Sequence, residues 1–184
     1  MTIPSLIILG CWAIYVIIWT GLAGWSKPSI KKGSTWQWLI RPGIIVMALG
    51  LQSSALRRSI GGTLTDNMAA GMLGDILCAA GIGFAIWARL TLGRNWGMPN
   101  SHKEGAELIT RGPYAVIRHP IYSGVLLALL GTAIVGGVAW FLFFVAIAGS
   151  FIHSARQEEM RMAQAFPDYS AYRQRTKMLV PWIF

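Results

Sequence analysis

The chain has 184 residues, of which 54% are hydrophobic and only 12% charged, and its net charge is +9. That composition is too oily for an ordinary soluble domain of this size and points to one membrane domain covering residues 1–184. The basic residues flank apolar spans instead of forming one block, as in loops on the inner face of a membrane, so a nucleic-acid partner is not expected.

Ile3–Trp25 is a nearly uncharged run of about the ~20 residues needed to cross a bilayer. It lacks a basic n-region and exceeds a typical h-region, so it reads as a retained first helix and not as a signal peptide. Ser26–Gln37, with Lys27, Lys31 and Lys32, is a polar connector, and Trp38–Leu56 is a second span closed by Arg57-Arg58. Ser59–Asn67 is a loop rich in glycine and threonine. Met68–Leu90 is the third span. It carries Asp75 near its start, an intramembrane carboxylate whose functional reading stands beside a solvated, structural one. Gly81-Ile-Gly83 reads as a helix-packing pair, because no strand precedes it as a nucleotide loop would need.

Thr91–His119 is a second polar connector, after which Ile121–Ile152 is almost wholly apolar but for the break at Gly136-Gly137. With its flanks this stretch is slightly short of two full spans of ~20 residues each, which predicts two tilted or short helices forming a hairpin with both ends on one face. His153–Phe166 continues the last helix until Pro167, and Tyr169, Tyr172 and Arg173 follow in a short aromatic-basic segment. Trp25, Trp36, Trp38, Trp96 and Trp182 stand at span ends, as in an interfacial belt.

The fold expected is therefore all-α: a polytopic membrane protein of about five transmembrane helices, the last two a helical hairpin, with a cytoplasmic cofactor pocket. Residues 1–90 supply three N-terminal helices, and 91–184 supply the motif region, hairpin and tail. With five helices, the basic residues of the Lys27–Arg41, Arg89–Arg118 and Arg156–Lys177 stretches fall on one side, leaving only Arg57 and Arg58 on the other. That bias puts the tail in the cytoplasm. Cys11 and Cys78 lie in separate apolar segments and His102, His119 and His153 lack ligand spacing, so no metal is expected.

The densest chemistry lies in Arg111–Gly124, which packs two arginines, a histidine, two prolines and two tyrosines into one turn-like stretch. Gly112-Pro113 is a turn signal, and Pro120 sits where a helix would begin, since a first-turn position needs no backbone N–H. A helix start offers free N–H groups and partial positive charge to an anionic ligand group, with Arg118 and His119 just ahead of it. Each residue alone has a plainer reading. His119 would be a capping histidine, Glu158 a solvated carboxylate paired with Arg161, Tyr114 and Tyr122 interfacial tyrosines, and Arg111 and Arg118 contacts to lipid phosphates.

Several pieces occur together: Gly93-Arg-Asn-Trp96, Leu108-Ile-Thr-Arg-Gly-Pro-Tyr114, Arg118-His-Pro-Ile-Tyr122, Glu158-Glu159 and Phe166-Pro-Asp-Tyr-Ser-Ala-Tyr172. The combination resembles the isoprenylcysteine carboxyl methyltransferase family, which is close to the phospholipid N-methyltransferases. The resemblance covers Thr91–Phe184. It implies an integral membrane enzyme that transfers a methyl group from S-adenosyl-L-methionine to a lipophilic acceptor reached from the bilayer. By position, it implies cofactor contacts at Leu108, Ile109, Tyr114, His119, Pro120, Tyr122 and Glu158. Where the eukaryotic carboxyl methyltransferases hold a substrate arginine, four residues before the glutamate, this chain has Ser154. Arg156 lies about 200° further round the helix, and Arg173 is a second substrate-side candidate. The alternatives are a phospholipid or amine N-methyltransferase or a small-thiol S-methyltransferase of the same superfamily, and an NADPH-dependent membrane oxidoreductase resembling the sterol reductases.

Overall fold

The structure, a computed structural model, describes residues 3–22, 25, 29–31, 67–96, 102–103 and 107–181. It is mostly helical. Helix α1 runs Ile3–Gly21, α2 Met68–Leu92, α3 Pro120–Gly136, α4 Val138–Ala165 and α5 Tyr169–Arg175. The expected second span, Trp38–Leu56, lies outside the described residues. Two helical stretches, Met68–Asn95 and Val138–Ala165, are long and apolar enough to cross a membrane; Leu6–Gly21 and Pro120–Gly136 are shorter apolar helices.

The helix ends follow from local chemistry. The Asn67 side-chain oxygen accepts the Ala69 N–H at 2.9 Å and caps α2. Pro120 occupies the first turn of α3, as its position in the sequence predicts. Gly137, at φ 90°, is the single residue between α3 and α4, a conformation that residues with a Cβ rarely adopt. The hairpin is unequal. At 17 residues α3 reaches only about 26 Å at ~1.5 Å per residue, while α4 has 28 because its last turns are polar and continue past the apolar part.

The central contact is α2 against α3, made close by small residues. A Cβ on Gly124 would lie 2.7 Å from the Gly81 carbonyl oxygen, and one on Gly74 would lie 2.7 Å from that of Gly131. The two helices therefore run antiparallel with their backbones touching, the arrangement that small residues permit between apolar helices. Gly81 is part of this seam as the sequence suggests, but Gly83 is not: among the described residues a Cβ there meets nothing within 4 Å. Being two residues on, it points to a different face of the helix. Ile8, Cys78, Ile82 and Ala128 form one buried cluster, and Ala85, Val125, Leu129, Ala133, Trp140 and Phe143 another.

Helix α1 lies parallel to α2. Pro4 approaches Gly71 at one end, and Trp19 packs edge-on against Trp96 at the other. In the middle, the Trp12 indole N–H donates to Thr132 Oγ1 at 3.0 Å. The side chain of Arg89, fully buried, locks the Trp96 end. It donates to the carbonyls of Leu22 and Gly93 at 2.8 Å each and lies 4.6 Å over the Trp96 ring. The expectation of an all-helical chain needs one amendment. Ser29–Lys31 and His102–Lys103 form a small antiparallel ladder, pairing Ser29 with Lys103 and Lys31 with His102. It pairs a short run that follows α1 in the sequence with one that follows α2.

Candidate functional site

The site is assembled from the connector before α3, the polar end of α4 and the tail. Gly112, at φ 59°, opens a short 3₁₀ turn, Gly112–Ala115, that tucks Tyr114 inward to 7% exposure. From there the connector is sewn to the tail through main-chain bonds. Lys177 N–H donates to Val116 O at 3.0 Å, Arg118 N–H to Lys177 O at 2.8 Å and His119 N–H to Met178 O at 3.1 Å. Ile117 and Lys177 form a parallel bridge. Side chains reinforce the seam: the Tyr172 hydroxyl donates to Tyr114 O at 2.8 Å, and the Ser123 hydroxyl to Leu179 O at 2.6 Å.

Above this seam His119, Tyr122 and Glu158 meet. The Tyr122 hydroxyl donates to Glu158 Oε1 at 2.6 Å, and His119 Nδ1 stands 3.6 Å from Glu158 Oε2. The His119 and Tyr122 rings are parallel within 7° at 5.5 Å, and Tyr122 stacks in turn on Phe151 at 4.5 Å. The geometry adds partners to the plainer readings of His119 and Glu158, while Arg161 still acts electrostatically on the Glu158 carboxylate. His119 holds the N-cap position of α3 but makes no capping bond with its side chain, and Glu158 turns to Tyr122 and His119. The Glu158 side chain keeps 26% of its surface exposed, so this carboxylate remains reachable.

The next residue behaves differently. Glu159, with its side chain 5% exposed, takes the Arg118 Nε–H on Oε1 at 2.6 Å. His119 Nε2 lies 3.5 Å from the same oxygen, and Arg173 Nε 3.5 Å from Oε2. Among the described residues His119 Nε2 is buried with no hydrogen bond of normal length, because 3.5 Å is an ion-pair distance. Burial raises the Tyr114 hydroxyl well above its usual range and pushes Tyr172 up to about 12, although Arg118 and Arg175 pull the latter down. Both phenols are therefore neutral and able to donate at physiological pH.

Of the residues singled out in the sequence, Tyr114, His119, Tyr122 and Glu158 gather at one place. Pro120 adjoins them with its ring fully buried, so what it contributes is the helix start. Leu108 and Ile109 are half-buried in the extended segment 107–110, which is tied back by the Glu107 N–H on Asn95 Oδ1 at 3.3 Å. Ser154 lies one turn before Glu158, half-buried. Arg173 is engaged with Glu159 through a side chain that stays 63% exposed. A surface concavity of about 670 Å³ runs along α4 and the tail, lined by Arg156, Glu159, Met160 and Arg173 among others. Glu158, His119 and Tyr122 do not line it, so it is a neighbouring feature separated from their cluster by Glu159. Sequence reasoning missed Glu159, Thr176 and the main-chain seam. The paired glutamates were the only local hint.

Apolar helices are thus capped at one end by a cluster of imidazole, phenol and carboxylate. The chain belongs to the phospholipid methyltransferase family, whose profile matches residues 69–169. That family lies in the same superfamily as the isoprenylcysteine methyltransferases that the motifs resemble. A cobalt-zinc-cadmium resistance protein of Cupriavidus metallidurans is 33% identical over 94 residues, 50% of this chain and 44% of its own length. A nickel-cobalt-cadmium resistance protein of Alcaligenes xylosoxydans xylosoxydans is 29% identical over 94 residues, with the same shares. The matched stretch is thus less than half of either relative.

Proposed function

We propose that the protein is an integral membrane methyltransferase that uses S-adenosyl-L-methionine and acts on a lipophilic or membrane-associated acceptor, with its tail and site on the cytoplasmic side. The family supplies the reaction class. The observation that carries the reading is the meeting of Tyr122 with Glu158 at 2.6 Å, with His119 beside both, across 36 residues of chain. The donor set suits the ligand. A partly exposed carboxylate next to stacked aromatic rings complements an ammonium and a sulfonium, and the start of α3 complements a carboxylate. Leu108, Ile109, Tyr114, His119, Pro120, Tyr122 and Glu158 form the cofactor side, and Ser154 and Arg173 face the acceptor.

The cofactor, when bound, supplies an already activated methyl group. The chain's own residues then have to orient and exclude water. The stacked rings of Tyr122 and Phe151 exclude water beside Glu158, Glu158 would hold the cationic end, and the Tyr114–Tyr172 contact keeps the connector closed over the helix start. A carboxylate acceptor needs no base, whereas an amine or thiol acceptor must release a proton. A lipid amine or a small thiol is therefore the alternative acceptor.

Calorimetric titration of the purified protein tests the reading against an NADPH-dependent oxidoreductase. S-adenosylhomocysteine binds and NADPH does not; the reverse result refutes the assignment. Membranes given cofactor labelled in the methyl group should transfer that label to a lipid, protein or volatile acceptor.

A further inference from the structure

The two adjacent glutamates differ in every local respect except chemistry. Glu158 is partly open and faces Tyr122 and His119, while Glu159 is almost sealed and faces Arg118, His119 and Arg173. A carboxylate removed from water is costly unless it is paired and hydrogen-bonded, so Glu159 requires these cations as much as they require it. Arg118 is divided in its bonding. Its Nε is held by Glu159, while Nη1 donates to the carbonyls of Arg173 and Thr176. Those carbonyls lie at the C-terminal end of α5, where they lack helical partners and carry the negative end of the dipole. Thr176 continues the chain of bonds, its hydroxyl donating to Tyr172 O at 2.6 Å.

We propose that Glu159 is a positioning residue: by holding Arg118 it fastens the tail, 172–179, across the connector, and by flanking His119 Nε2 it leaves Nδ1 facing Glu158. The first role stands on geometry alone. The second rests on the function proposed above. The family match ends at residue 169, so the whole of the fastened segment lies beyond it. Glu159 thus transmits the state of the tail to the imidazole. Loss of its charge opens the seam, whereas loss of the Glu158 charge removes only a ligand contact.

The test is amide exchange of the full chain in lipid nanodiscs without any adenosyl ligand, read at Arg118, His119 and Lys177, whose N–H groups close the seam. Glu159→Gln accelerates exchange at these amides by about tenfold or more, the scale expected for loss of a charge-assisted bond. Glu158→Gln leaves them within about twofold, because its partners Tyr122 and His119 Nδ1 stand apart from the Arg118 bonds that hold the tail. Glu159→Asp, which keeps the charge, restores most of the protection and substitutes for the glutamine variant if that one does not fold. The double variant Arg118→Met, Glu159→Met loses less protection than the two single changes combined, because neither charge is left buried alone. Equal acceleration in Glu158→Gln and Glu159→Gln, no acceleration in either, or additive effects in the double variant would overturn the proposal. Failure of S-adenosylhomocysteine to bind the unsubstituted protein would count against the methyltransferase reading and leave this test intact.

Discussion

His119→Ala and Glu158→Ala each sharply weaken binding of S-adenosylhomocysteine, while the protein still inserts and purifies as the unsubstituted chain does. A hydrogen bond to a charged group contributes about 1.5–3 kcal/mol, so each loss weakens binding by roughly one to two orders of magnitude. Tyr122→Phe costs less, about tenfold, because Glu158 keeps His119 at 3.6 Å and the aromatic wall with Phe151 survives. Calorimetry on the three variants checks this order. Affinities unchanged in both alanine variants would remove the cofactor from this cluster. Neither residue belongs to the α2–α3 seam, so a loss of binding without a fall in thermal midpoint separates ligand contact from folding.

The second large effect concerns the seam itself. Gly124→Ala puts a methyl group where the Gly81 carbonyl oxygen already stands, and Gly131→Ala meets the α2 backbone in the same way. Backbone cannot rotate aside as a side chain can, so the helices must separate, at a cost of about 1–3 kcal/mol for each substitution. Gly83→Ala, only a short step away on α2, meets no neighbour among the described residues and gains helix propensity. It should be neutral or stabilising by up to about 1 kcal/mol. Thermal unfolding in detergent reads the contrast directly. A Gly83→Ala variant as unstable as Gly124→Ala would mean that helix propensity, and not close approach, governs these positions.

Much of this was legible because local chemistry decides it. Pro120 marks the start of α3, Pro167 follows the end of α4 at Ala165, and the Gly136-Gly137 break becomes a one-residue hinge at Gly137. Met68–Leu90 as read from hydropathy is Met68–Leu92 in the structure, two residues longer because the helix runs on to its cap at Gly93. The gathering of His119, Tyr122 and Glu158 was legible only through motif resemblance. Contacts across 36 to 39 residues leave no periodicity to read. The rest was invisible for a physical reason. Main-chain bonds such as Arg118 N–H to Lys177 O use groups that every residue carries, so no side-chain pattern announces them. The pairing of Gly74 with Gly131 and of Gly81 with Gly124 depends on two faces meeting, and a Gly-rich helix such as α2 offers several such faces. Gly81 and Gly83 look equivalent in sequence and differ only in what stands opposite. Arg89, which hydropathy treats as a span boundary, is instead a buried tie between α1 and α2.

The proposed function requires that the connector before α3 and the polar end of α4 hold the same adenosyl ligand. Ultraviolet cross-linking of the full chain in membranes with radiolabelled S-adenosylmethionine, followed by peptide mapping, measures it. Label should appear in peptides covering both 108–122 and 154–159 and should be displaced from both by S-adenosylhomocysteine. Label confined to one of the two segments, or undiminished by the competitor, would contradict it.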